Sequence, residues 1–104
     1  MMTINIQYVK MMTSESMSSY VTKKLKKLDE HYDWLIRADV FFKLDNDSSK
    51  KGKICEIELS LPGPKLFAVS NEKNFEMAVK ETISDLDVQL KKRKAKFARQ
   101  RISS

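Results

Sequence analysis

Apolar residues recur along this chain with two periods: every second residue, typical of half-buried strands, and every third or fourth, typical of amphipathic helices. Residues 3–8 alternate and predict a strand with Ile4, Ile6 and Tyr8 on its core face. Helix-capping side chains at residues 13–16 come next. They open a helical repeat over about residues 14–31, formed by Met17, Tyr20, Val21, Leu25 and Leu28.

The remainder of the chain predicts three more strands and a second helix. Residues 34–44 alternate, and their predicted core face holds Trp34, Ile36, Ala38, Val40, Phe42 and Leu44. A polar loop at residues 45–52 leads to a third strand, with a core face of Cys55, Ile57, Leu59 and Leu61. A turn at residues 62–64 precedes a short fourth strand at 66–70. Asn71 or Asn74 then caps a helix whose apolar stripe is Phe75, Ala78, Val79, Ile83, Leu86, Leu90 and Phe97.

The element order β-α-β-β-β-α predicts the fold class α+β. We expect a two-layer sandwich in which both helices cover one face of a four-stranded sheet, because each helix has a single apolar stripe. The outer side of the third strand is polar, so the other sheet face should be exposed to water. With 104 residues, of which 41% are hydrophobic, the chain has material for one modest core. Residues 1–104 are therefore expected to form a single domain.

The net charge of +6 is concentrated at the C-terminal end. All 14 acidic residues lie at or before Asp87, and residues 1–90 carry a net charge of −1. The other seven basic residues lie between Lys91 and Arg101, with no acidic residue among them. Such a run repels itself and is neutralised best by a polyanion. The alternative is a solvated, frayed helix end, although a merely soluble helix usually mixes both signs of charge.

Element lengths place this basic run beyond the sheet. A helix over residues 74–99 would be about 39 Å long, whereas a strand of eight residues covers about 27 Å. We therefore expect the helix to extend about two turns beyond the end of the sheet, with residues 91–101 as a basic overhang. Arg93 falls close to the apolar stripe, which indicates a helix that has left the core or an outward-reaching side chain.

The sequence contains few candidate residues for catalysis or cofactor binding. The single histidine, His31, follows the first helix between aromatic residues and is typical of a packing or surface residue. The single cysteine, Cys55, lies in a strand pattern and is expected to be a buried small hydrophobe rather than a nucleophile. With two glycines the chain cannot form a glycine-rich phosphate loop, and the loop at 45–52 lacks the pattern of a calcium loop. We predict no enzyme, no cofactor, no metal and no small-molecule substrate.

Neither a membrane span nor a secretory signal is evident in the sequence. No apolar stretch approaches the length that a span requires, and the N-terminus lacks the basic and apolar regions of a signal peptide. The predicted location is therefore the cytoplasm, without membrane contact.

Binding to nucleic acid is the function that the charge pattern favours. Lys23, Lys26 and Lys27 on the first helix and the C-terminal run on the second would lie on one helical face. Lys and Arg at this density bind phosphates rather than read bases. Phe41 and Phe67 could point outward from the sheet as stacking rings, but structured RNA recognised by shape and backbone charge fits better.

An ordered set of motifs resembles the ribosome hibernation-promoting factor and ribosome-associated inhibitor family, in its short form. The resemblance extends from Met2 to about Phe97. It rests on the opening strand 2–7, the Tyr-Val and Lys-Leu pattern of residues 20–28 and the strand-to-helix step at residues 66–79. The closing pattern Leu-x-x-Gln-Leu-x-Lys-x-Lys, with Lys96 two residues beyond it, completes the set.

The resemblance implies a domain similar to a double-stranded-RNA-binding domain. It also implies a protein that occupies the mRNA and tRNA channel of the small ribosomal subunit, binds ribosomal RNA and silences translation under stress or in stationary phase. By position, the RNA-binding candidates carried over from the family are Lys23, Lys24, Lys27, Lys92, Lys94 and Lys96. Lys91 and Arg99 are added from charge and helix geometry. The free protein is expected to be a monomer.

The chain also departs from the family pattern in the middle of the last helix. The family commonly has an acidic residue where Lys80 stands and basic residues where Asp85 and Val88 stand. Three other hypotheses remain open: a generic binder of structured RNA, a small enzyme, and a protein-interaction domain whose basic helix binds an acidic partner.

Overall fold

The computed structural model describes residues 1–46 and 51–103, with side chains of the last helix described through Arg99. Part of the predicted polar loop and the Arg101 side chain therefore lie outside the described residues. The elements are β1 Thr3–Tyr8, α1 Glu15–His31, β2 Arg37–Leu44, β3 Lys53–Ser60, β4 Leu66–Glu72 and α2 Phe75–Ser103.

The four strands form one sheet in the order β1-β2-β3-β4. β1 pairs with β2 in parallel through the α1 crossover, and the other two pairs are antiparallel. The register brings Ile6, Val40, Ile57 and Ala68 into one row across the sheet. The predicted α+β class with a four-stranded sheet is confirmed.

Both helices pack on one face of the sheet, where the core lies. The strands contribute Ala38, Val40, Phe42, Cys55, Ile57 and Leu59, all fully buried. The apolar stripes of the helices complete this core with Val21, Leu25, Leu28, Ala78, Val79, Leu86 and Leu90. The predicted core faces of β3 and of both helices are therefore largely confirmed.

The predicted start of β2 is wrong, whereas its predicted end at Leu44 is correct. β2 begins at Arg37 rather than at residue 34, and before it Leu35 is buried while Ile36 is 56% exposed. A turn causes this inversion: the Leu35 N–H donates to the Tyr32 carbonyl oxygen at 3.2 Å, which rotates the chain before the strand starts. Leu44 is exposed because it is the last residue of the strand.

The start of α2 follows the predicted cap. The Met77 N–H donates to Oδ1 of Asn74 at 2.8 Å. Asn71 instead accepts a hydrogen bond from the Gly52 N–H, so of the two predicted caps Asn74 is the correct one. Thr82 is fully buried within the apolar stripe, and its hydroxyl donates to the carbonyl oxygens of Ala78 and Cys55.

Two side chains attach the basic end of α2 to the body of the domain. Arg93 donates hydrogen bonds to the carbonyl oxygens of Pro62 at 3.0 Å and Pro64 at 2.9 Å. The ring of Phe97 packs edge-on against Trp34, with centroids 5.2 Å apart. Position 63 favours glycine for two reasons. Its φ of +93° is one that other residues rarely adopt, and a Cβ there would lie only 3.0 Å from Nη1 of Arg93. The helix is thus held to the body as far as Phe97.

We expect Arg93→Lys to destabilise this end of α2 while keeping its charge. A lysine cannot bind both carbonyl oxygens at once, so the free energy of unfolding should fall by about 1 kcal/mol. The loss is smaller than it would be for buried hydrogen bonds, because water can reach this site. Urea unfolding and amide hydrogen exchange of residues 91–97 measure the effect. Arg99→Lys is the matched control, since Arg99 is exposed and should tolerate the change. Equal exchange rates in the two variants would contradict the anchoring role of Arg93.

Candidate RNA-binding surface

The two helices lie side by side and run in the same direction. Near their N-terminal ends, Met17 and Phe75 line one pocket. Further along, the Tyr32 hydroxyl that follows α1 donates to Oδ1 of Asp87 at 2.8 Å. The C-terminal halves of both helices are therefore at the same end of the domain, and so are their basic residues.

An open groove of about 340 Å³ separates the helices, and we call it the interhelical groove. Its lining residues are Lys24, Lys27, Leu28, His31, Lys80, Ile83, Ser84 and Asp87. His31 and Asp87 also belong to a second depression, which continues toward the C-terminus and is lined further by Tyr32, Lys91 and Lys94. The two depressions form one basic channel along the helix pair.

Asp87 is the one acidic residue of this channel, and its charge is offset. Oδ2 of Asp87 lies 3.3 Å from Nζ of Lys91. The hydrogen bond from Tyr32, followed by the interactions with Lys91 and His31, holds the pKa of Asp87 below its usual range despite some burial. Burial, and then the hydrogen bond and charge of Asp87, raise the pKa of Tyr32 to about 12. At neutral pH the pair is thus a neutral phenol and a paired carboxylate, which fixes the end of α1 to α2.

Four of the eight predicted RNA-binding residues line the channel. Lys24 is half-buried, with its Nζ 5.5 Å from the centroid of the Tyr20 ring, and Lys27 beside it is exposed. Lys91 and Lys94 lie in the C-terminal extension, where Nζ of Lys94 is 5.9 Å from the Tyr32 ring centroid. The structure therefore brings together lysines that are far apart in sequence.

The other four predicted residues lie outside the channel on the exposed sides of the helices. They are Lys23 on α1 and Lys92, Lys96 and Arg99 on α2. With about 100° between successive residues of a helix, Lys92 and Lys96 project away from α1. None of the four forms an ion pair with any residue that the structure describes. The predicted residues thus cover a broad basic surface rather than one compact patch.

Two channel residues were missed as RNA-binding candidates from the sequence. Lys80 departs from the family pattern, and the sequence context of His31 is typical of a packing or surface residue. Both are exposed and line the groove. The signal was present in the spacing, because residues 80, 84, 87, 91 and 94 follow one helical face next to the apolar stripe. Val88 and Asp85 are exposed on another side of α2.

The opposite face of the sheet is electrically balanced. Its acidic residues pair with basic neighbours in Arg37–Asp39, Lys43–Glu56 and Lys65–Glu58 ion pairs of 2.9 to 3.2 Å. Phe67 is 52% exposed on this face, as predicted, whereas Phe41 is half-buried with Nζ of Lys43 5.9 Å from its ring centroid. The excess positive charge of the described residues therefore lies on the helical face.

Cys55 has the environment of a core residue rather than of a nucleophile. Burial raises the pKa of its thiol to about 12, so the side chain is neutral at physiological pH. We expect no measurable alkylation by iodoacetamide in the native protein at about pH 8, and full alkylation after unfolding in urea. Ser19→Cys, which places a thiol at an exposed position of α1, is the control for reagent activity. Native Cys55 reacting as fast as the introduced thiol would contradict its burial.

Within the part of the chain that the structure describes, no three acidic, histidine or cysteine side chains are grouped to hold a metal ion. No described helix has the length and apolar character needed to cross a membrane.

Comparisons with known proteins agree on one family. The model of the family described as sigma 54 modulation protein / S30EA ribosomal protein matches residues 4–98. A ribosome hibernation promoting factor of Pseudomonas putida is 27% identical over 95 residues, covering 91% of this chain and 89% of that protein.

Two solved structures have a similar fold. A ribosomal subunit interface protein from Coxiella burnetii superposes with a TM-score of 0.80 at 23% identity, covering 91% of this chain and 99% of the other. The N-terminal domain of Thermus thermophilus Protein Y superposes with a TM-score of 0.71 at 26% identity, covering 86% and 93%.

Proposed function

The chain belongs to the sigma 54 modulation protein / S30EA ribosomal protein family, and from this we propose that it is a ribosome hibernation factor. It binds the small ribosomal subunit at the mRNA and tRNA decoding channel and inhibits translation by steric block. Members of this family are ribosome-binding proteins rather than enzymes. The family predicted from the sequence is confirmed.

The observation that carries the proposal is the convergence of lysines from both helices on one channel, opposite a sheet face whose charges are paired. Side chains of this kind bind the phosphate backbone, which positions a protein on structured RNA without base-specific contacts. A rigid helix pair presents these charges in a fixed pattern. A folded RNA with a matching arrangement of phosphates is therefore favoured over a flexible single strand.

The placement in the decoding channel rests on the family resemblance, and the basic helical face is compatible with it. A domain in that channel would occupy space that mRNA and tRNA need, so inhibition requires no chemical step. The protein acts as a cytoplasmic monomer, without cofactor or metal, with ribosomal RNA as its main partner.

Sedimentation tests the partner. The protein should co-sediment with purified small subunits, and its affinity should fall by about 10³-fold or more between about 50 and about 200 mM salt if it contacts six or more phosphates. Plain duplex RNA of similar length is the comparison, because a generic binder of structured RNA would bind it as tightly as the subunit. Equal affinity for both ligands would favour that second function and contradict the proposed one.

A further inference from the structure

The interhelical groove has a composition that the proposed function does not by itself require. Lys24 and Lys27 of α1 and Lys80 of α2 all line this open space of about 340 Å³, so lysines from two helices border one groove. None of the three lysines forms an ion pair with a described residue. The Asp87 carboxylate at the end of the groove is paired with Lys91 and hydrogen-bonded by Tyr32.

Like charges held close together destabilise a fold unless an anion lies between them. Lys24 and Lys27 are three residues apart on one helix, which is a repulsive spacing for two lysines. Lys80 adds a third positive charge from the facing helix. A bound anion would offset this repulsion by interacting favourably with all three lysines.

Two further side chains of the groove can donate hydrogen bonds to a phosphate oxygen. The Ser84 hydroxyl is a neutral donor, and the His31 imidazole carries at least one N–H donor. The buried Leu28 and the half-buried Ile83 form the apolar floor of the groove, beneath the polar side chains. The outer side of α2 differs from the groove because its exposed lysines have no lysine of α1 facing them.

We propose that the interhelical groove is a specific phosphate-binding site, formed by Lys24, Lys27 and His31 of α1 with Lys80 and Ser84 of α2. It holds one backbone phosphate of ribosomal RNA and fixes the orientation of the domain on the subunit. This inference rests on the proposed function and adds Lys80, His31 and Ser84 to the residues that contact RNA.

The test compares Lys80→Gln with Lys73→Gln. Both changes remove one positive charge from an exposed lysine, but Lys73 precedes α2 and lies outside the groove. We expect Lys80→Gln to weaken small-subunit binding about 5- to 10-fold and to reduce the slope of log affinity against log salt by about 0.9. Lys73→Gln should stay within about twofold of the unchanged protein. Thermal melts followed by circular dichroism establish that both variants are folded.

The outcomes separate this inference from the function on which it rests. If the unchanged protein does not bind small subunits, the proposed function is wrong, and so is the assignment of the groove to ribosomal RNA. If the unchanged protein binds and the two variants lose affinity equally, the groove assignment alone is overturned.

An NMR titration with adenosine monophosphate distinguishes an RNA phosphate from a free nucleotide. We expect only weak, non-saturating shifts at the Ser84 and His31 amides over the micromolar range. Saturable micromolar binding that Lys80→Gln abolishes, without a change in ribosome affinity, would assign the groove to a free nucleotide and overturn the RNA contact.

Discussion

Changing Lys92, Lys94 and Lys96 together to Glu is expected to lower the affinity for the small subunit by at least about 100-fold at physiological salt. Each phosphate contact contributes about 0.9 to the slope of log affinity against log salt concentration. The loss of three such contacts therefore accounts for this factor through counterion release alone. The introduced carboxylates add repulsion to the same phosphates. Equilibrium sedimentation or fluorescence anisotropy with labelled protein measures the loss.

The fold should tolerate this triple change. All three lysines are exposed, and none forms an ion pair with a residue that the structure describes. The matched control is the triple change of Lys10, Lys65 and Lys73 to Glu, which alters net charge equally but away from the helical face. It removes the exposed Lys65–Glu58 ion pair and the weaker interaction of Lys65 with Asp39, both of which contribute little to stability. Equal loss of binding in both variants would show that net charge, rather than the helical face, controls binding.

Phe42→Ala is expected to cost about 3–5 kcal/mol of the free energy of unfolding. The Phe42 ring is fully buried, stacks on Tyr8 with centroids 5.0 Å apart and meets Phe75 edge-on at 5.3 Å. It thereby joins β1, β2 and the start of α2, and alanine leaves a cavity between all three. Domains of this size have about 5–15 kcal/mol in total, so a large part of the stability would be lost.

Urea unfolding followed by circular dichroism measures this loss. Phe67→Ala is the matched control, because the same side chain is removed from a position that is 52% exposed on the outer sheet face. Its expected cost is below about 1 kcal/mol. If the two variants were equally destabilised, the core would not lie between the helices and the sheet face that contains Phe42.

The fold was predictable because its two layers follow two clear periods. Alternation in β3 and helical spacing in α1 each placed apolar residues on one face, and burial follows those faces closely. The inversion at Leu35 and Ile36 was not predictable, because it depends on one backbone hydrogen bond to Tyr32. A pattern that extends through a turn looks like a longer strand when only polarity is considered.

The positive charge of the candidate site was predictable from the sequence, but the arrangement of its side chains in space was not. The sequence indicates which lysines belong to the basic surface, whereas their convergence depends on the parallel arrangement of the helices. Arg93 shows the same limit. Its place near the apolar stripe indicated an unusual role, but the two carbonyls that it binds are brought there by the turn between β3 and β4.

The central claim is that this domain occupies the decoding channel of the small subunit and excludes tRNA. The most direct measurement is binding of labelled tRNA to mRNA-programmed small subunits that have first been saturated with the protein. We expect tRNA binding to fall in proportion to the fraction of subunits occupied by the protein. When the triple variant of Lys92, Lys94 and Lys96 is used instead, tRNA binding should stay at its full level, because the variant should not occupy the subunit. Undiminished tRNA binding on subunits shown to be saturated with the unchanged protein would contradict the steric block.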